Sequence, residues 1–455
     1  MKWLPARGRL WHNRDFLKLW AGQTASQAGS RVTDLALPLT AILVLDASAG
    51  QIGMLVAAQY APSLLVTLVA GVWADRHRRM PTLVAANLGR AAILALVPIL
   101  ALTGGLSMAV LYGVAMSAGT LTTLFDVTYI SYIPTLVDRT DLIEANSKMQ
   151  SSQSVAQVAG HGAGGVLAQL LTAPGAVLVD ALSYLVAAAS LLSIRHPEPA
   201  PRPPTERRSV AREASDGLRF TLGSSVLRPV MLQSAVYNLF YAVVVVVLPV
   251  YALRHLHLSP ATLGLVIASG SMGAVAGAMA AARVGRHLRP GPAMALGMGL
   301  ASAGFLMLAL AGGGHGLVIA QLVVGHCVFG AGLAIFNVHA LSIRQSIVPH
   351  DMMGRVTASY RMVSWAMIPA GSLLGGLSAD ALGPRPTLLA AAVGLGVGAA
   401  LFAASRGARV GPVAGLALAN DSGARPERLR VSAAACEASS AHGRRWNAAG
   451  TRADA

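Results

Sequence analysis

Cysteine, lysine and charge are all scarce in this chain of 455 residues, and each scarcity removes a class of protein. Two cysteines, Cys327 and Cys436, exclude a disulfide framework and a cysteine metal cluster. Charged residues make up 12% of the chain, against about 25% in an average soluble domain, and the mean hydropathy is +0.58. That balance excludes a soluble globular protein. It also excludes disorder over most of the length, because disorder needs low hydrophobicity and high charge. No lysine follows a glycine, so the phosphate-binding loop of an ATP-driven pump is missing. His-Glu-x-x-His and Gly-x-Ser-x-Gly are missing too, which leaves a metalloprotease or a serine hydrolase without its chemistry. The residues call for no metal and no cofactor, and the chain reads as a non-enzyme.

What the chain has is apolar length. A membrane span needs about 20 mostly apolar residues. Such windows lie near 16–45, 51–74, 81–103, 107–131, 149–171, 174–194, 229–253, 260–282, 292–311, 316–340, 355–379 and 385–404. Counts of eleven or thirteen compete with twelve. The net charge of +16 would suggest nucleic acid on a soluble domain; here it sorts by side of the membrane instead. Alternate gaps hold little beyond Asp46, Arg254, Asp380 and Arg385. The other gaps and both termini hold most of the rest, among them Arg76, Arg78, Arg79, Arg139, Lys148, Arg283, Arg286, Arg289, Arg344 and Arg355. The positive-inside rule puts the basic side in the cytoplasm. Both termini then lie inside, which requires an even number of spans and favours twelve. The lipid bilayer is the chain's main solvent, and a bacterial inner membrane is expected. Trp3, Trp11 and Trp20 suit an interfacial anchor, and no cleaved signal peptide is expected.

The organisation follows. Residues 1–15 form a cytoplasmic lead and 16–194 a first half. Residues 195–228 form a cytoplasmic linker that starts with a proline run and continues into an amphipathic stretch, 207–219. Residues 229–404 form a second half and 405–455 a disordered tail. Gly164-Gly165 followed by Ala173-Pro174, and Gly375-Gly376 followed by Gly383-Pro384, repeat at an offset of about 210 residues, as if one six-span unit had been duplicated.

Gly71-Val-Trp-Ala-Asp75-Arg76-His-Arg-Arg79 resembles the major facilitator signature between the second and third spans, with Arg78 where that pattern usually has glycine. The resemblance continues through Asn87-Leu-Gly-Arg90, Phe125-Asp-Val-Thr-Tyr129, Glu144-Ala-Asn-Ser147, Ser342-Ile-Arg-Gln345, Gly354-Arg355 and Pro369 to Gly376. It covers about residues 13–404 and is similar to the drug-efflux and secretion branch, which includes macrolide and enterobactin exporters. It implies an all-α membrane protein of twelve helices in two pseudo-symmetric six-helix halves. It also implies a gating role for Gly71, Asp75, Arg76, Arg79 and Arg355, in which Asp75 meets the eleventh span near Arg355. The competing account of that turn is topology alone. Gly160-His161-Gly-Ala-Gly164-Gly165 resembles the antiporter motif Gly-Pro-x-x-Gly-Gly, with His161 in place of proline. It is either a close-packing face or a seal against proton leakage.

Ionisable residues inside spans are functional candidates because burying them is costly. Arg31 and Asp34 share a helix face and either neutralise each other or serve substrate and proton. Arg90 and Asp126 lie on neighbouring spans and either pair with each other or, with Asp126 titrating, belong to the substrate and proton pathway. His326 sits near mid-membrane, either a proton-pathway residue or a buried hydrogen-bonded histidine, and Tyr237, Asn238 and Tyr241 form a polar-aromatic patch that either suits a large amphipathic ligand or simply packs. The expected function is export of a small molecule, with protons as coupling ion, by a monomer. An importer of a nutrient with the same fold, and a membrane sensor acting through the linker or tail, stand as alternatives.

Overall fold

Without water to bond to, a backbone inside lipid satisfies its polar groups within its own segment, and the helix is how a single segment does so. The computed structural model describes residues 9–138, 141–195, 198, 210–349 and 352–409, and among them the regular structure is helical. The helices are α1 (Arg14–Val44), α2 (Ala49–Arg76), α3 (Arg79–Leu102), α4 (Met108–Leu136), α5 (Leu142–Leu171), α6 (Ala173–Leu192), α7 (Val210–Gly223), α8 (Leu227–Val250), α9 (Pro260–His287), α10 (Pro290–Leu310), α11 (His315–Ile347), α12 (Met353–Leu382) and α13 (Pro384–Ala404). Nine of them are, among the described residues, long and apolar enough to cross a membrane: α3, α4, α6, α8 with its last turn, and α9 to α13. Helices α1, α2 and α5 have 31, 28 and 30 residues.

Local chemistry explains the ends. Asn13 accepts from the Phe16 amide to open α1, and Ser48 forms a capping box with Gln51 at α2. Ser259 caps α9, with Pro260 in its first turn. Helix α1 closes on Asp46 at φ 48°, a left-handed residue that aspartate tolerates better than a β-branched side chain would. Helix α8 ends in a π turn, Tyr251–His255, sealed by the Leu256 amide on the Tyr251 carbonyl at 3.0 Å.

Helices α1 to α6 pack mainly on one another, and so do α8 to α13; α2 against α12 and α5 against α9 join the two sets. These seams are built alike. A Cβ on Gly165 would meet the Cα of Gly264 at 2.8 Å, and one on Gly53 would meet the Cα of Gly376 at 3.2 Å. Gly376 stands 211 positions after Gly165, and Gly264 stands 211 after Gly53. The same offset relates Ser48 to Ser259, which cap α2 and α9, and Gln169 to Asp380, which face those two helix starts.

Two expectations change. The amphipathic linker stretch is helical from Val210 and docked on the second helix set. Its described part, α7, packs on α12, where Gly217 abuts the Arg355 backbone and Thr221 is fully buried. Residues 199–209 lie outside the described residues. The tail does not lose its structure at 405: Arg406–Arg409 form a 3₁₀ turn that seats Ala408 against Gly291 of α10. From 410 onward the tail lies outside the described residues. The other polar end of the linker is anchored too. Glu198 accepts from the amides of Arg79 at 2.6 Å and Met80 at 3.1 Å, capping α3, whose own cap residue Arg78 offers no side-chain bond.

Candidate functional site

Arg31 and Asp34 form the ion pair their spacing predicts, with Nη1 and Oδ2 2.9 Å apart and both side chains partly open. Asp34 lies ten residues from the end of α1, about 15 Å at 1.5 Å per residue, which is mid-depth for a span. Gln59 of α2 donates to the other carboxylate oxygen at 3.4 Å. The hydroxyls of Tyr60 on α2 and Tyr241 on α8 lie within electrostatic reach of this pair. Tyr241 belongs to the second helix set, so the polar centre is shared by both sets.

Tyr241 is one member of an aromatic stack. Its ring lies 5.5 Å from Tyr237 and 5.8 Å from Phe329 of α11, and Phe329 lies 4.8 Å from Phe305 of α10. Asn238, between the two tyrosines, donates to the Ser234 carbonyl of its own helix at 2.9 Å. The patch is therefore wider than the three residues of one span, and only Tyr237 and Tyr241 join the stack.

Arg90 does not pair with Asp126. Its guanidinium is sandwiched between Phe125, at 4.4 Å, and Tyr184, at 4.1 Å, and donates to Asn87 Oδ1 at 2.5 Å. Cation–π contacts replace the carboxylate because successive residues on α4 point different ways. Phe125 turns to the interior of the first set, while Asp126, one position on, is exposed. The cations whose fields reach Asp126 are Arg90, Arg361 and Arg31. Arg361, on α12, packs over Trp365 at 4.4 Å.

The antiporter-like glycines divide their work. Gly160 abuts Arg31 and the Ala28 carbonyl, Gly164 abuts Val32, and Gly165 abuts Pro260 and Gly264. The first two hold α5 to α1 beside the ion pair, and the third holds α5 to α9. His161, between them, bonds its own helix at the Gln157 carbonyl and lies within electrostatic reach of His326, which is buried and bonded to the Leu322 carbonyl at 3.2 Å. In the gating turn, the side chains of Gly71, Asp75 and Arg76 lie outside those described. Arg79 is seen through its amide on Glu198, and Arg355 at the α7–α12 contact.

Sequence reasoning missed a second cluster, at the end of the molecule away from the Arg-rich turns. The Asp380 carboxylate accepts from Ser48 Oγ at 2.8 Å and from the amides of Ala49 and Gly50, each at 2.9 Å, closing α12 onto the first turn of α2. Arg254 reaches Asp46 from the π turn at 2.5 Å. The sparse charges of those gaps were visible; their meeting was not, because 208 residues separate Arg254 from Asp46. Gln59, Tyr60, Phe329 and Glu198 were missed because a lone glutamine, aromatic or linker acid carries no spacing signal.

The family model for transmembrane secretion effectors matches residues 10–414. The multidrug efflux pump Tap of Mycobacterium tuberculosis (strain ATCC 25618 / H37Rv) is 30% identical over 398 residues, covering 83% of this chain and 90% of that one. The enterobactin exporter EntS of Citrobacter koseri is 28% identical over 346 residues, covering 74% and 79%. Among solved structures, a bacterial homologue of the human lysosomal transporter Spinster, in an inward-facing and unoccupied conformation, superposes with a TM-score of 0.71 at 14% identity, covering 88% of this chain and 97% of that one.

Proposed function

The chain belongs to the transmembrane secretion effector family of the major facilitator superfamily, and from that membership we propose that it exports a small molecule by alternating access, in exchange for protons. Family and fold are those of a transporter and not of an enzyme. The multidrug and enterobactin exporters among its relatives support the outward direction. Transport assayed in everted vesicles tests it against import: accumulation inside everted vesicles fits export.

The proposal includes twelve spans in two six-helix halves, 16–194 and 229–404, in the bacterial inner membrane, with both termini and the 195–228 linker in the cytoplasm. The seams repeated at 211 residues support the duplication, and the charge asymmetry supports the orientation. On that orientation, Asp380 and the Arg254–Asp46 pair close the outer end. The exposed polar side chains along the first half of α5, from Ser147 to Gln157, face a cytoplasmic vestibule. Asp75 and Arg355 are proposed to govern closure of the inner end: Asp75→Asn should slow turnover in proteoliposomes while ligand binding persists.

One observation carries the coupling reading: the mid-depth Arg31–Asp34 pair touches α2 through Gln59 and neighbours the second set through Tyr241. A carboxylate in that position meets proton and substrate in alternation as the halves rock. Asp126, nearer the cytoplasm, receives the substrate, and the aromatic stack of Tyr237, Tyr241 and Phe329 presents it an apolar surface. Asp34→Asn should abolish pH-driven uphill efflux and leave downhill exchange intact. Full proton-driven accumulation by Asp34→Asn across the neutral pH range would move the coupling site elsewhere, to His326 first.

A further inference from the structure

Between the end of α2, the start of α3 and the middle of α4 lies a groove of about 450 Å³, beside the gating turn, whose lining residues the transport reading leaves without a role. Its mouth is polar and exposed, formed by Trp73, His77 and Arg78. The Trp73 and His77 rings stack with centroids 3.9 Å apart, and His77 Nδ1 lies 3.1 Å from the Trp73 carbonyl, which leaves Nε2 without a partner among the described residues. The Arg78 guanidinium likewise makes no ion pair among the described residues. Glu198, which meets the start of α3, is taken up by the amides of Arg79 and Met80.

Deeper in, the groove turns apolar. Ala85, Leu121 and Leu124 line it, about 10 Å along α3 from Arg78 at 1.5 Å per residue. Leu121, on its wall, also packs against Gly89, where a Cβ would meet Leu121 Cδ1 at 2.8 Å. Ala85 lies on the exposed stripe of α3 that continues through Leu88, Leu96 and Ile99, so the groove opens on the face that meets lipid.

We propose that this groove holds one anionic glycerophospholipid, with its phosphate against Arg78 and His77 and an acyl chain along Ala85, Leu121 and Leu124. The polarity gradient decides between occupants. A soluble phosphate compound would leave the apolar part empty, whereas a lipid matches cation to phosphate at the interface and methylene to leucine below it. Trp73 at the rim is the residue type that settles at headgroup level. The second groove at this end, lined by Trp11, Trp20 and Lys148, lacks the free cation: Lys148 lies 3.5 Å from Glu144 and 3.8 Å over the Trp11 ring. Assignment to the cytoplasmic leaflet rests on the orientation proposed above; binding itself does not.

The test uses the full chain in nanodiscs doped with phosphatidylglycerol or phosphatidylcholine carrying brominated acyl chains, with tryptophan quenching as readout. The part of the quenching lost in Trp73→Phe is the groove's own signal. That signal should favour phosphatidylglycerol about fivefold at equal mole fraction, the factor one basic residue contributes near an anionic surface. Arg78→Gln should remove the preference and Arg78→Lys should keep most of it. Equal quenching by the two lipids in the native chain, or a preference that survives Arg78→Gln, overturns the proposal. So does loss of the signal on adding inorganic phosphate, which would make the groove a soluble-anion site. No transport is measured, so failure of the export reading and failure of this site are separable.

Discussion

Asp380 and Gln169 occupy equivalent places 211 residues apart, yet one is a carboxylate and the other an amide. Gln169 accepts a single bond, from the Ala261 amide at 3.2 Å, whereas Asp380 accepts three on the first turn of α2. A carboxylate on a helix N-terminus contributes about 0.3–1 kcal/mol at an exposed site, and its hydrogen bonds add to that. Asp380→Asn should therefore weaken closure of that end of the molecule by about 1–2 kcal/mol, a shift of roughly 5- to 30-fold between closed and open forms. Spin labels at Val44 and His255 would read this as a longer distance population; an unchanged distribution would show that the glycine seam alone holds that end. Arg90 makes a different prediction. A guanidinium between two rings stacks on both, and a lysine ammonium cannot reproduce the planar contact. Arg90→Lys should lower thermal stability by about 1–2 kcal/mol, while Asp126→Asn, on the exposed side of α4, should change it far less. Equal melting of Arg90→Lys and the native protein would remove Arg90 from the structural frame.

At the scale of the helix, glycine sets how closely elements approach. Between apolar helices in lipid the hydrophobic effect offers little, so close backbone contact supplies the attraction. Gly165→Leu would push α5 off α9 at Gly264, and overpacking of this kind costs about 1–3 kcal/mol. Gly113→Ala is the control, because a Cβ there meets nothing within 4 Å. Thermal unfolding in detergent should rank the two, with Gly165→Leu well below the native protein and Gly113→Ala at or above it. Glycine pairs were readable in the sequence as a repeat. Which helix each faces was not, because spacing records one face of one helix and says nothing of the neighbour. For the same reason α7 was legible as an amphipathic stretch, while its seat on α12 was decided by the close approach at Gly217.

For the whole molecule the tests are of sidedness and of the tail. On a background without Cys327 and Cys436, single cysteines at Ser107 and Ser193 should label from opposite sides of the membrane; labelling of both from one side would reject the twelve-span arrangement. Removing residues 410–455 should leave transport intact, because the turn at Arg406–Arg409 that docks on α10 remains. Loss of transport with a normally inserted protein would favour a role for the tail.

Short motifs carried the resemblance to the major facilitator family; beyond them, the sequence by itself determined that this is a helical membrane protein, where its long apolar windows run, and that Arg31 and Asp34 share a helix face. These are local properties: composition, periodicity and a spacing of three residues on one helix. Only the tertiary structure decided that Arg90 lies between Phe125 and Tyr184 and not on Asp126, and that Asp46, Arg254 and Asp380 meet at one end. It alone brought Tyr241 beside an ion pair from the other helix set. Those outcomes depend on which faces of distant helices come together. A chain in which alanine, glycine, leucine and valine serve on lipid-facing and buried faces alike carries little record of that choice.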